Sequence, residues 1–150
     1  MKTTLIVLAT CAFAVFSVLV KNELRRVKSP LQSLQIGQPM PDFTLTDSSG
    51  TEYTLSKIVS ENKLILINFW ASWCAPCRLE MPGFEKLQTA KGKDGLLILA
   101  INEDEERPQM DAYLKARPVH FPVLLDPSNA LMTRLGGRAL PTTILVGGDG

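Results

Sequence analysis

Residues 64–70 constrain the fold more than any other part of the sequence. Apart from Asn68 they are all apolar, a pattern that is typical of a strand buried on both faces of a parallel sheet. Parallel strands are joined by crossover connections, which are usually helices. The sequence therefore predicts a strand that ends at Trp70 and a helix that begins soon after it.

Two cysteines, Cys74 and Cys77, stand where this helix should begin. Because they are three positions apart, they lie about one helical turn from each other, within the Cα separation that a disulfide requires. Unpaired backbone N–H groups and the helix dipole stabilise a thiolate on the first cysteine. We therefore expect Cys74 to attack a disulfide and Cys77 to resolve the mixed disulfide that forms.

A structural role or a metal site is the alternative for this pair. Structural cysteines more often join distant loops, and zinc would need two further ligands. The chain has 3 Cys and 1 His; the third cysteine, Cys11, lies in an apolar N-terminal segment, and His120 has no second histidine beside it. We interpret His120 as structural, with a proton-handling role as the alternative, and predict no metal site.

Composition limits the classes of partner. The chain has 150 residues, 45% of them hydrophobic, and a formal net charge of +1 at pH 7. These values suit one globular domain with an ordinary core. A nearly neutral chain gives no electrostatic argument for nucleic acid, so we expect no nucleic-acid partner.

Residues 1–21 are predicted to be a membrane anchor or signal segment. Residues 3–20 are almost all apolar, and about 18 helical residues span roughly 27 Å, which just crosses the hydrocarbon layer. An uncleaved anchor is favoured because the apolar run continues to Val20, while cleavage after residues 12–14 and lipidation at Cys11 stay open. Basic residues at positions 21, 25, 26 and 28 would hold the following flank in the cytoplasm, so the orientation also stays open.

Residues 22–35 are polar and basic and predict a tether, and residues 36–150 predict the folded domain. Within this domain strands alternate with helices, which indicates an α/β fold. The apolar face of the helix at the cysteine pair should carry Cys77, Met81, Phe84 and Leu87, and residues 103–106 should form a solvated loop. The other predicted strands lie at residues 96–101, 121–125 and 142–146, and a hairpin is predicted over residues 43–55. The other predicted helical segments are a turn at 55–59, a helix whose first turn contains Arg107 and Pro108, and a short helix at 128–135.

Several motifs together resemble the thioredoxin superfamily. They are Asn68, Phe69, Trp70 at the strand end, the sequence Trp73, Cys74, Ala75, Pro76, Cys77, the following Glu80, Met81, Pro82, and the later Leu140, Pro141, Thr142. More narrowly, the chain from residue 36 onward is similar to the TlpA/ResA-like membrane-anchored thiol-disulfide oxidoreductases. The resemblance implies a thioredoxin-like fold with an N-terminal β-hairpin extension.

In such a protein Cys74 and Cys77 form the redox-active disulfide, so the resemblance implies no other cofactor. Thioredoxin itself has a buried aspartate where this chain has Asn68, and an amide cannot accept a proton from the resolving thiol. Glu80 matches an acidic residue near the active site of ResA-like proteins, and we expect it to tune or deprotonate Cys77. The alternative is an exposed carboxylate that serves only the helix dipole.

The resemblance also implies a substrate-binding surface. Pro141 would follow a cis peptide bond and pack against the disulfide. The backbone at Leu140 would pair with the substrate chain like an added strand. Trp73, Ala75 and Pro76 would contact the substrate beside the sulfurs. Related proteins also use the region of residues 103–106 at the rim of the site.

The activity implied by the resemblance is reduction of protein disulfides outside the cytoplasmic membrane, as in cytochrome c maturation. A membrane thiol electron donor would regenerate the reduced pair, and the chain would be a single-pass protein of the cell membrane. A peroxiredoxin-like peroxide reductase is disfavoured because Ala71 stands where such enzymes usually have threonine. A non-catalytic metal-binding or adaptor protein on the same fold is a further alternative.

Family members continue beyond the position of Gly150 with another strand and a closing helix. The resemblance therefore implies a C-terminally incomplete domain. Residues 142–146 would then form an uncovered sheet edge, and such edges are prone to pair with other chains.

Overall fold

The computed structural model describes residues 34–104 and 106–150. The predicted anchor, nearly all of the predicted tether and Cys11 lie outside the described residues. Among the helices of the described part, none combines the length and the apolar character that crossing a membrane requires.

Strands and helices alternate along the described part of the chain. The strands are β1 (Thr44–Thr46), β2 (Glu52–Thr54), β3 (Leu64–Trp70), β4 (Leu96–Asn102), β5 (Val123–Leu125) and β6 (Thr142–Gly147). The helices are α1 (Leu55–Glu61), α2 (Ala75–Lys91), α3 (Arg107–Ala116) and α4 (Ala130–Arg134), with a 3-10 turn at Gly92–Asp94.

One sheet contains β5, β4, β3 and β6 in that spatial order, and β1 pairs with β2 in a separate antiparallel hairpin. β3, β4 and β5 are parallel, with α2 and α3 in the crossovers, whereas β6 is antiparallel to β3. The mixed sheet and the preceding hairpin confirm the predicted α/β fold with its N-terminal extension.

The parallel register brings the carboxyl ends of β3 and β4 together. Trp70, the last residue of β3, pairs with Asn102, and the Glu103 N–H donates to the Trp70 carbonyl at 2.9 Å. Beyond this point the chain leads from β3 to the cysteine pair and from β4 to Asp104. Residues that are about thirty positions apart in sequence therefore meet at one edge of the sheet.

Successive side chains of β3 point to opposite faces of the sheet and contribute to two hydrophobic cores. Ile67 and Phe69 belong to a core on one face of the sheet, and Trp70 belongs to the core on the other face. The second core also contains Cys74 and Cys77. Burial on both faces explains the near-continuous apolar pattern of β3, and it makes the cysteine pair continuous with a packed interior.

The predicted apolar face of α2 holds only in its first half. Cys77 and Met81 are buried and Phe84 packs against the same core, but Leu87 is 37% exposed. β6 is an outer strand of the described sheet, and its Leu145 is 63% exposed. The edge position of β6 is as predicted, while its pairing with other chains stays a prediction.

Candidate active site

The disulfide between Cys74 and Cys77 lies at the start of α2. Cys74 is the N-cap residue, and Pro76 stands in the first turn, where backbone N–H groups have no intrahelical partner and proline is tolerated. The two Cα atoms are 5.3 Å apart, within the usual range for a disulfide. The predicted position of the pair at a helix start is confirmed.

The surroundings of Cys74 favour a thiolate after the disulfide is reduced. The Cys77 N–H donates to Cys74 Sγ at 3.3 Å, and no acidic residue lies in the first turn of this 17-residue helix. The helix dipole adds partial positive charge at the same place. Cys74 is 5% exposed and Cys77 1%, so an incoming sulfur meets Cys74 first.

Exposed apolar side chains adjoin the sulfurs. Trp73 is 65% exposed, and Ala75 and Pro76 are also exposed. Trp70, in contrast, is fully buried, with its ring centroid 5.2 Å from that of Tyr113. The two tryptophans therefore differ: Trp70 belongs to the core, whereas Trp73 is exposed beside Cys74, and its contact with a substrate stays a prediction.

The peptide bond between Leu140 and Pro141 is cis, as the resemblance implied. Leu140 packs against the core that contains both cysteines, and Pro141 directly precedes β6. Both residues are half-buried. The structure thus places this segment and the disulfide on the same core, while its part in substrate binding stays a prediction.

Glu80 lies one helical turn beyond Cys77 and is half-buried. Its Oε2 atom is buried and has no hydrogen-bond partner among the described residues, a costly state for a carboxylate. Glu80 is therefore not a fully exposed carboxylate. Asn68 is buried, and its Nδ2 donates to Thr143 Oγ1 at 3.1 Å, so it links β3 to β6.

The prediction of a solvated loop at residues 103–106 is wrong for Glu103 and Asp104, which are 2% and 4% exposed. Asp104 accepts hydrogen bonds from the Ser72 N–H at 2.8 Å, the Ser72 hydroxyl at 2.9 Å and Asn102 Nδ2 at 2.7 Å. Because residues 103–106 are acidic, their composition predicted exposure to solvent and did not reveal that Asp104 is buried and accepts these hydrogen bonds. The signal that could have found Asp104 is its place after β4, beside the end of β3.

Glu103 is a buried carboxyl group beside Asp126. Neither of its side-chain oxygens has a hydrogen-bond partner of ordinary geometry among the described residues. Asp126 is itself buried and accepts from the N–H groups of Ala130, Leu131 and Met132 at the start of α4. Burial, and after it the negative charge of Asp126, raises the pKa of Glu103 to about 8. Glu103 is therefore mostly protonated at neutral pH.

His120 lies outside this site. The backbone N–H of His120 donates to Glu85 Oε2 at 2.8 Å, and the ring Nδ1 of His120 is 2.6 Å from Glu85 Oε1. These contacts fasten the segment before β5 to α2, which fits the structural interpretation of His120.

Comparison with known proteins places the chain in a family. The AhpC/TSA family model matches residues 36–150. The thiol-disulfide oxidoreductase ResA of Geobacillus thermodenitrificans is 32% identical over 118 residues, 79% of this chain and 67% of the relative. ResA of Bacillus cereus is 31% identical over 119 residues, 79% of this chain and 68% of the relative.

A solved structure agrees with these sequence matches. A Chlorobium tepidum protein assigned as the thiol:disulfide interchange protein DsbE superposes with a TM-score of 0.71 at 31% identity, covering 76% of this chain and 79% of that one. The family match includes the disulfide, the cis-proline and the whole central sheet. The chain therefore belongs to the AhpC/TSA family and is a thioredoxin-fold thiol-disulfide oxidoreductase of the ResA and DsbE type.

Proposed function

We propose that the chain is a membrane-tethered, extracytoplasmic reductant of protein disulfides, of the kind that serves cytochrome c maturation. The observation that carries the proposal is the disulfide at the start of α2, with Cys74 as the N-cap and Cys77 more deeply buried. The apolar residues 3–20 support the tether. The likeness to TlpA/ResA-like proteins supports the reducing direction.

The reaction consists of two exchanges. The Cys74 thiolate attacks one sulfur of the partner's disulfide, so a mixed disulfide forms and the second partner sulfur leaves and takes up a proton. Cys77 then loses its proton and attacks Cys74 Sγ, which closes the internal disulfide and releases the first partner sulfur. Two electrons pass to the partner, and the cysteine pair is the only redox group that these steps require.

The substrate surface is assigned to the residues around the sulfurs. The exposed Trp73, Ala75 and Pro76 supply apolar contact without demanding a particular sequence. The backbone at Leu140 and Pro141 receives the partner chain as an added strand, a mode in which main-chain hydrogen bonds provide affinity. A membrane thiol electron donor would return the oxidised pair to its reduced form through the same surface.

Glu80 is proposed to accept the proton of Cys77. Glu80→Gln should slow release of the partner from the mixed disulfide by about a hundredfold, because a positioned general base contributes roughly that factor. It should also flatten the pH dependence of this step. The measurement is the rate of partner release from a preformed mixed disulfide across a pH series. Glu61→Gln, which changes an exposed carboxylate at the end of α1, is the control, and an unchanged profile in Glu80→Gln would contradict the role of Glu80 as the proton acceptor.

The proposed compartment is tested with a topology reporter fused after Gly150 of the full chain. We expect the reporter to be active outside the cytoplasm, because residues 1–21 are proposed as an uncleaved anchor with the domain on the outer side. The same reporter on a cytoplasmic protein is the control. A cytoplasmic signal from the fusion would contradict the proposal and would show that the basic residues after Val20 decide the orientation.

A further inference from the structure

A tight turn connects β3 to the disulfide. The Cys74 N–H donates to the Ala71 carbonyl at 3.1 Å, so Ser72 and Trp73 are the central residues of this turn. Trp73 is mostly exposed, whereas Ser72 is held by both its N–H and its hydroxyl, which donate to the two oxygens of Asp104. The turn that carries the attacking sulfur is therefore fastened to the end of β4 through one residue.

Asp104 is itself held in place. Its N–H donates to Asn102 Oδ1 at 3.1 Å, and its Oδ2 accepts from Asn102 Nδ2 at 2.7 Å. Asn102 is buried and is the last residue of β4, paired with Trp70 of β3. Hydrogen bonds to an ionised carboxylate are among the stronger ones in proteins. A continuous chain of contacts thus leads from the sheet through Asp104 to the residue two positions before Cys74.

The position of Cys74 Sγ matters because the helix dipole acts mainly within the first turn. The Cys77 N–H, 3.3 Å from Cys74 Sγ, is a contact that a shift of the turn would lengthen. We propose that Asp104 is a positioning residue for thiol-disulfide exchange, which holds the turn at residues 71–74 so that the Cys74 thiolate stays at the N-terminus of α2. The proposal rests on the redox role of the cysteine pair and adds the residue that orients its attacking sulfur.

Two effects of Asp104 on Cys74 have opposite signs. A negative charge near the sulfur disfavours the thiolate, so its removal alone would lower the pH at which Cys74 titrates. If the turn at residues 71–74 moved, the Cys74 sulfur would lie farther from the helix N-terminus. The titration midpoint of Cys74 would then rise toward that of an ordinary thiol. The direction of the change therefore distinguishes a positioning role from a simple charge effect.

The test is the rate of Cys74 alkylation in the reduced full chain as a function of pH, with the modified cysteine assigned by mass spectrometry. Asp104→Ala should raise the titration midpoint of Cys74 by about one pH unit, which lowers alkylation at neutral pH about tenfold. Ser72→Ala removes one of the two hydrogen bonds and adds no charge change. It should shift the midpoint in the same direction by a smaller amount, and it provides the answer if Asp104→Ala does not fold.

Asp42→Ala is the matched control. Asp42 accepts hydrogen bonds from the Ser56 N–H at 2.9 Å and the Ser56 hydroxyl at 2.8 Å, which is the same pattern at the start of α1. This variant should lose the same kind of contact and leave the Cys74 midpoint unchanged. A midpoint that is unchanged or lowered in Asp104→Ala, or unchanged in Ser72→Ala, would overturn the proposal.

The same experiment separates this proposal from the proposed function. If Cys74 of the unmodified protein has the titration midpoint of an ordinary thiol and is alkylated no faster than Cys77, the assignment of Cys74 as the attacking sulfur fails. If Cys74 of the unmodified protein is preferentially alkylated but the Asp104 and Ser72 variants match it, only the positioning role fails.

Discussion

Glu103→Gln should remove a loss of stability that otherwise develops as the pH rises from about 5 to about 8. The pKa of Glu103 is raised from its ordinary value of 4.5 to about 8, first by burial and then by the charge of Asp126. Between these two values the unfolded chain releases the proton and the folded chain keeps it. The contribution of Glu103 to stability is therefore fully present below pH 4.5 and decreases between pH 4.5 and about 8, by about 1.4 kcal/mol per pH unit for one proton.

Glutamine cannot ionise, so the Glu103→Gln variant should be more stable than the unmodified chain by roughly 2 to 4 kcal/mol at pH 8 and similar to it near pH 4.5. The measurement is urea unfolding of the oxidised protein at several pH values. Glu52→Gln changes an exposed carboxylate and should leave the pH dependence as it is. An equal decrease of stability with pH in Glu103→Gln and the unmodified chain would show that Glu103 is already ionised in the folded protein.

The sequence predicted the central fold well where burial dictates the residue pattern. β3 has the predicted bounds because both of its faces are covered, and a strand of this kind needs apolar residues at nearly every position. The helix start was predictable since Cys74 and Pro76 occupy positions whose N–H groups have no intrahelical partner. The predicted strand at residues 121–125 was too long, because only Val123–Leu125 pair with β4.

Prediction failed where tertiary contacts reverse a local preference. Glu103 and Asp104 are charged residues after a strand, and such residues are mostly exposed; they are buried here because the neighbouring strand end and Asp126 lie against them. Leu87 follows the helical spacing of an apolar face, yet it is 37% exposed. Periodicity identifies a face of a helix and does not reveal how much of that face the rest of the fold covers.

The candidate site could be predicted in part. Spacing and helix context were enough for Cys74 and Cys77, and the cis bond before Pro141 came from the resemblance, since few X-Pro bonds are cis. The link between Ser72 and Asp104 joins residues 32 positions apart, and it follows only from the register of two parallel strands. Sequence reasoning could have proposed that link after aligning the ends of β3 and β4.

Cys77→Ser should trap partner proteins on Cys74 and abolish turnover. The first exchange needs only the Cys74 thiolate, whereas release of the partner needs the thiol of Cys77. Serine is too weak a nucleophile to attack the mixed disulfide, so the covalent adduct should persist until an external thiol reduces it. If the chain were instead a peroxide reductase, the unmodified protein would consume peroxide without forming partner adducts.

The central claim is that Cys74 enters the exchange and Cys77 completes it. Its most direct test is expression of the full chain carrying Cys77→Ser in cells, followed by acid quenching, non-reducing electrophoresis and mass spectrometry of the adducts. We expect reducible adducts joined through Cys74, which disappear when Cys74→Ser is added to the same chain. Absence of adducts with Cys77→Ser, or adducts of equal abundance with Cys74→Ser alone, would contradict the account.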